Sequence, residues 1–194
     1  MSKEKLPEPM FSALKDLMNW FKTGNCPGVI IGGIAVSFLA RPRTTQDIDM
    51  LACLDEELWP DFICLGKKFR FNVRYKDALT FAKKNRVLLM RHEPTSIDID
   101  ISFGLLPFEE ESLERAKKVR LLGITVTLPS PEDLVIMKAV AHRPIDLEDV
   151  RSILEITPKV DLKRIKRWVK EFANVLEMPE ILDDLNKIIT KNKK

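Results

Sequence analysis

Apolar residues along this chain change period several times, and each change marks an element. From Met10 to Lys22 they recur at helical spacing, with Leu14, Leu17, Met18 and Phe21 on one stripe. Gly24 and the turn through Pro27 close that helix. Val29 to Ile31 is a short β-branched strand, and Gly32-Gly33 leads into a helical stretch, Ile34 to Leu39, that stops before Pro42. Asp47 to Cys53, where two aspartates alternate with apolar residues before an apolar run, reads as a strand. Asp55 to Lys68 predicts a helix, Arg70 to Tyr75 a strand, and Lys76 to Lys84 a short helix. Arg86 to Arg91 and Ser96 to Phe103 are strands joined by a turn at Glu93-Pro94, a connection short enough to favour an antiparallel pair. Glu109 to Lys118 reads as helix, Arg120 to Leu128 as a strand or a hairpin broken at Gly123, and everything from Ser130 onward as helix. This order predicts a mixed α/β core followed by a helical C-terminal part.

Two of the strands carry an unusual polar pattern. Asp47 and Asp49 alternate with Ile48 and Met50, and Asp98 and Asp100 alternate with Ile97, Ile99 and Ile101. Residues i and i+2 of a strand share a face, so each pair of aspartates projects together, away from its apolar neighbours. Aspartate is a poor strand former. If the two strands are neighbours, at least three carboxylates converge, and like charges about 4 Å apart repel by about 4 kcal/mol at an effective dielectric near 20. A hard divalent cation relieves that repulsion, and oxygen-rich sites suit Mg²⁺.

Composition narrows the chemistry. At 194 residues, 45% hydrophobic and 31% charged, the chain is long enough for one domain or a core with a small helical appendage. No apolar run approaches the roughly 20 residues of a membrane span. The start, MSKEKLPEP, has no signal-peptide core, so a cytoplasmic location with no membrane partner is expected. Cys26, Cys53 and Cys64 are odd in number and show no C-x-x-C spacing, which argues against a disulfide framework or a zinc site. With only His92 and His142, a histidine-rich metal site or a Ser-His-Asp hydrolase is not expected. Carboxylates, Lys and Arg must carry the chemistry. The net charge of +3 is too mild to imply nucleic acid.

Between the first strand and the first acidic strand lie Gly-Gly, a short helix, and the basic loop Arg41-Pro42-Arg43-Thr44-Thr45. Glycines at such a junction let phosphate oxygens approach backbone N–H groups at a positive helix end. A phosphate cradle, a carboxylate pair and nearby guanidinium groups suit phosphoryl or nucleotidyl transfer, which depends on positioning and charge neutralisation.

The series Gly-Gly, then R-x-T-x-D-x-D (Arg43, Thr45, Asp47, Asp49), then a third strand aspartate, closely resembles the DNA polymerase beta-like nucleotidyltransferase superfamily. The string SPEDLVIMKAVAHRPIDLEDVRSIL, Ser130 to Leu154, resembles the K…A…R…DL.D motif of minimal nucleotidyltransferases related to abortive-infection and toxin–antitoxin systems. The resemblance, over about Val29 to Leu154, implies an α+β fold, a small mixed sheet flanked by helices; with the order of elements the expectation is a core over residues 1–128 with the helical extension, 129–194, packed on it. It implies Asp47 and Asp49 as a Mg²⁺-binding catalytic pair and Asp100 as the third carboxylate, favoured by its spacing to Pro107-Phe108-Glu109, with Asp98 as the competing assignment. Gly32 and Gly33 match the nucleotide loop, where many members carry Gly-Ser. Ser37, Arg43, Thr45, Lys138 and Arg143 become nucleotide-binding candidates, with Asp146 and Asp149 as acids acting behind them.

The C-terminal motif can also be read from its residues alone. Ser130-Pro131-Glu132-Asp133 is a helix start with N-cap serine, proline at N1 and an acid at N3. Lys138 lies on a packed face of that helix, where a buried ammonium needs an anion. A nucleotide phosphate and one of the aspartates are both candidates. Asp146 and Asp149 read as N-cap and N3 of the next helix. Further on, Lys163, Lys166, Arg167 and Lys170 share one helical face. That stripe reads first as a solvated surface, with a grip on RNA as the alternative.

The function expected is transfer of a nucleoside monophosphate from an NTP to an acceptor hydroxyl on a tRNA 3′ end, a protein or a small molecule. ATP is a candidate donor, and an antitoxin protein a candidate partner if the enzyme is of the toxin type. The alternative is a nucleotide- or RNA-binding protein that keeps the fold without turnover.

Overall fold

The two acidic segments are neighbouring strands. In the computed structural model, which describes residues 6–121 and 123–192, β2 (Asp47–Ala52) runs parallel to β5 (Ile97–Phe103) at the centre of a five-stranded sheet. The start of MSKEKLPEP, Leu122, and the last two lysines of the tail lie outside the described residues.

The chain divides into two compact units, one of Met1–Ile34 and Thr44–Leu128, the other of Ala35–Arg43 and Pro129–Lys194. In the first, α1 (Glu8–Thr23) buries Met10, Ala13, Leu14, Leu17, Trp20 and Phe21, and ends at Gly24. β1 (Gly28–Ile30) pairs antiparallel with β2. After α2 (Gly32–Leu39) and β2 come a short 3₁₀ turn, Glu56–Leu58, and α3 (Trp59–Gly66). Then follow β3 (Phe71–Val73), α4 (Ala78–Asn85) and β4 (Val87–His92). The sheet order is β1-β2-β5-β4-β3, with β4 antiparallel to both β3 and β5.

One face of this sheet is core. Ile48, Met50, Ile99, Ile101, Leu88, Met90 and Phe71 are fully or almost fully buried, each contributing on the order of 1.5–3 kcal/mol relative to exposure. Trp20 of α1 stacks on Phe62 at 4.5 Å and on Phe71 at 5.2 Å, and its indole N–H donates to the Phe62 carbonyl at 3.0 Å. Because apolar residues alternate with aspartates along β2 and β5, the same packing that seats the isoleucines turns the acids to the opposite face.

Two stretches differ from the sequence pattern. The stretch expected as one helix from Asp55 is a 3₁₀ turn, α3 and a second 3₁₀ turn, Lys67–Phe69, with Pro60 in the first turn of α3. The helix expected to run to Lys118 is α5 (Pro107–Arg115). Ala116 turns extended, and Lys117 and Lys118 open the hairpin of β6 (Lys117–Leu121) and β7 (Ile124–Leu128), opposite Leu128 and Thr127. Strand pairing outweighs the helical preference of the two lysines.

The second unit holds α6 (Pro131–Ala141), α7 (Pro144–Ile156), α8 (Leu162–Val175) and α9 (Glu180–Asn192). Val150 and Ile153 of α7, Ile165 and Val169 of α8, and Ile181 and Leu185 of α9 are buried. On α8 the lysines 163, 166 and 170 and Arg167 are exposed. Ala35–Arg43 groups with this unit. Arg41 donates to Glu155 at 2.6 Å, and its backbone N–H to Ser152 Oγ at 3.2 Å. Among the described residues no helix is long and apolar enough to cross a membrane.

Candidate active site

Register decides how the four aspartates meet. Asp47 is the Cα partner of Asp98, and Asp49 of Asp100, so all four stand on one face of the paired strands, away from the core. Thr45 Oγ1 donates to Asp47 Oδ1 at 2.9 Å, so the hydroxyl of the basic loop holds the first acid. Asp49 is seated against the glycine turn. A Cβ on Gly32 would lie 1.8 Å from Asp49 Oδ2, and the φ of +63° there is left-handed. Only glycine fits both demands. Gly33 follows in the first turn of α2.

Two arginines that the sequence reading passed over complete this face. Arg74 donates from Nη1 to Asp98 Oδ2 at 2.7 Å and from Nη2 to Asp100 Oδ1 at 2.8 Å. Arg91 reaches Asp98 with Nε at 2.6 Å and Nη2 at 3.1 Å. Arg91 was within reach of sequence reasoning. Counting outward from the turn between β4 and β5 pairs it with Asp98. Arg74 carries no comparable signal, because it lies just beyond a three-residue strand.

These contacts separate the two acids of β5. The Arg91 hydrogen bond, helped by Arg74 and opposed by burial, holds the Asp98 carboxyl below the usual carboxylate range. Burial pushes the Asp100 carboxyl up; Arg74 opposes this, and the charges of Asp47 and Asp98 add to it. The four acids share a face, yet among the described residues no three His, Cys, Asp or Glu side chains are drawn together as a ready metal cage. Asp47 instead accepts from Thr45, Asp98 from Arg74 and Arg91, and Asp100 from Arg74.

The remaining candidates form a cluster within the second unit. Lys138, whose side chain is 6% exposed, lies 2.9 Å from Asp146 Oδ1 and 3.0 Å from Asp149 Oδ2. Arg143 binds Asp146 through Nε at 2.5 Å and Nη2 at 3.1 Å. Arg43 Nε lies 3.4 Å from Asp149. Of the two anions open to Lys138, the structure supplies the aspartates. Burial would raise the Asp146 carboxyl, but the hydrogen bonds from Arg143 and Lys138 outweigh it and hold it low. Asp146 is not the N-cap of its helix; Arg143 is, because Pro144 occupies N1 and puts Asp146 at N3. Ser130, by contrast, caps α6 as expected and accepts from the Asp133 N–H at 3.1 Å. Ser37 accepts from the Arg43 N–H at 3.3 Å and donates to the Arg43 carbonyl at 3.1 Å, closing the basic loop on itself.

A D-x-D strand beside a second acidic strand in a small mixed sheet, backed by a Gly-Gly helix start, defines the nucleotidyltransferase class. Over residues 10–186 the sequence matches the family described as nucleotidyltransferase of unknown function (DUF6036), and the chain belongs to that family. No curated protein matches it.

Among solved structures, that of the antibiotic-resistance factor ANT(2″)-Ia shares 13% identity at a TM-score of 0.63 over 90% of this chain and 97% of that one. An antigenic nucleotidyltransferase-like protein from Paracoccidioides brasiliensis shares 15% at 0.54, over 93% and 94%. The lincomycin-bound lincosamide antibiotic adenylyltransferase LnuA shares 14% at 0.51, over 77% and 99%. At these identities the likeness is one of fold.

Proposed function

We propose that the acidic face of β2 and β5 transfers a nucleoside monophosphate from an NTP to an acceptor hydroxyl, releasing pyrophosphate. The observation that carries this reading is the pairing of Asp47 with Asp98 and Asp49 with Asp100 on one open face. Hard carboxylate oxygens are the donors Mg²⁺ prefers, and the seat that Gly32 leaves for Asp49 fits a carboxylate held in a fixed place. Asp47, Asp49 and Asp100 would hold the ion. Bound there, Mg²⁺ supplies charge neutralisation for the triphosphate. Asp98 stays outside the ligand set because both its oxygens are engaged by arginines.

The chain's own groups do the rest. Thr45 fixes Asp47. The Gly32-Gly33 turn, with no side chain in the way, would let phosphate oxygens come close to the backbone at the start of α2. Asp100, on the same face as Asp47 and Asp49, would take the proton of the acceptor hydroxyl as that oxygen attacks the α-phosphorus and pyrophosphate leaves in line. Within the helical unit, Lys138, Arg43 and Arg143 outnumber Asp146 and Asp149 by one positive charge, so an anion is the ligand that this cluster suits. A small hydroxylated molecule is the first acceptor to test, because two of the structural neighbours are described by antibiotic resistance or antibiotic adenylylation. The toxin–antitoxin association rests on the C-terminal motif alone and does not enter the proposed reaction.

The test is label transfer. The protein is incubated with Mg²⁺ and each α-labelled NTP, together with aminoglycosides, lincosamides, total tRNA or no added acceptor. Label appears on one acceptor, and Asp47→Ala reduces the rate by about a hundredfold or more. One observation favours the second reading, a binding protein without turnover: a guanidinium already spans Asp98 and Asp100. Nucleotide binding with no pyrophosphate released on any acceptor would establish that reading instead.

A further inference from the structure

Arg74 is fixed at its root and committed at its tip. Its backbone N–H donates to the Leu89 carbonyl at 3.0 Å, which fastens it to β4. Its guanidinium then bridges Asp98 and Asp100, at 2.7 and 2.8 Å. The two ends of this bridge are unequal. Asp98 is also gripped by both Nε and Nη2 of Arg91, whereas among the described residues the only ion pair of Asp100 is with Arg74. Nε of Arg74 is buried and makes no hydrogen bond among the described residues, so the present pose does not satisfy the whole guanidinium.

We propose that Arg74 is a built-in counter-ion, which neutralises Asp100 and yields it to an incoming divalent cation while staying tied to Asp98. The inference rests on the nucleotidyl-transfer reading, in which Asp100 is a metal ligand. Asp100 shares its face with the charges of Asp47 and Asp98, and a bare cluster of this kind is costly to hold in a folded sheet. One guanidinium offsets that repulsion before any ligand arrives. It also competes with the cation for the same oxygens, so it lowers cation affinity. Asp98, doubly held, gives the guanidinium a partner to keep, and release of Asp100 leaves no buried positive charge alone. Arg74 is thus a positioning residue that acts through Asp100.

The direction of this effect separates a competing counter-ion from a brace. Mn²⁺ binding is measured by electron paramagnetic resonance of the free ion, without nucleotide, on wild type, Asp47→Ala, Arg74→Gln and Arg74→Lys. Wild type binds Mn²⁺ and Asp47→Ala does not. Arg74→Gln binds about tenfold tighter than wild type, because an opposing unit charge a few ångströms away is gone. Arg74→Lys, which keeps the charge but loses the two-pronged fork, falls between. An unchanged or weaker affinity in Arg74→Gln overturns the proposal and makes Arg74 a structural support for Asp100. Should Arg74→Gln fail to fold, Arg74→Lys decides alone: tighter binding supports the proposal, and equal or weaker binding overturns it. Wild type that binds no Mn²⁺ overturns the nucleotidyl-transfer reading itself, an outcome distinct from a wild type that binds while Arg74→Gln does not tighten.

Discussion

Asp98 and Asp100 stand two residues apart on one strand and meet opposite electrostatics. Asp98 is held below the usual carboxylate range, chiefly by Arg91, so its ionised form is favoured by folding. That contribution is present above the unfolded-state value, about 3.9, and is lost as pH falls through the lower folded-state value. Asp100 is raised, chiefly by burial, so its ionised form costs stability at neutral pH and the cost is relieved on acidification. In the absence of divalent cations, Asp100→Asn should therefore melt at or above the wild-type temperature at pH 7, with the difference closing toward pH 4. Asp98→Asn should melt below wild type. Thermal melts against pH check both, and an Asp100→Asn variant that melts well below wild type at pH 7 contradicts the assignment. The acids themselves were legible in the sequence, because aspartate alternating with isoleucine is rare enough to demand a reason. Of their arginine partners, Arg91 was open to counting outward from the turn between β4 and β5, and Arg74 was not. Arg74 and Arg91 belong to no motif and reach the acidic face only through the pairing of β3, β4 and β5.

At the scale of elements, the junction between β1 and α2 carries the tightest demand. Gly32 must adopt a left-handed φ of +63° and leave room for the Asp49 carboxylate. Gly32→Ala should cost about 1–2 kcal/mol from the backbone alone. It should also displace Asp49, so label transfer falls further than the loss of folded protein explains. Urea denaturation and activity per folded molecule measure the two parts, and an alanine variant with wild-type activity contradicts the seat described here. Strands and amphipathic helices were legible because their periods are strong: β2, β4, β5 and α1 lie within a residue or two of their expected bounds, and α6 starts where Ser130 and Pro131 predict. Element ends were harder to read where pairing or proline overrode local preference. Lys117 and Lys118 suit a helix but are claimed by the hairpin, and Pro144 moves the start of α7 ahead of Asp146.

Over the whole molecule, each unit holds a network of paired charges, Asp98 and Asp100 with their arginines in one and Lys138 with its acids in the other. In the helical unit, Lys138 is nearly buried between Asp146 and Asp149, so removing it leaves two buried acids short of a partner. Lys138→Ala should destabilise the protein by about 3–5 kcal/mol. Asp146, held low by Arg143 and Lys138 against the effect of burial, adds stability above its unfolded-state value that disappears as pH falls through the folded one. Acid melts of wild type and Asp146→Asn should show a shallower pH dependence in the variant. The sequence located this lysine on a packed face but left its anion open between a phosphate and an acid, because periodicity fixes a side chain's direction and not the neighbour it meets.

The proposed nucleotidyl transfer depends on the acidic face of β2 and β5 taking up a divalent cation. A crystal grown with Mn²⁺ and a non-hydrolysable NTP analogue, measured for anomalous scattering, tests that directly. The predicted result is a Mn²⁺ peak held by Asp47, Asp49 and Asp100, with Asp98 still bound by Arg91. A bound nucleotide with no Mn²⁺ peak at those three carboxylates would contradict it.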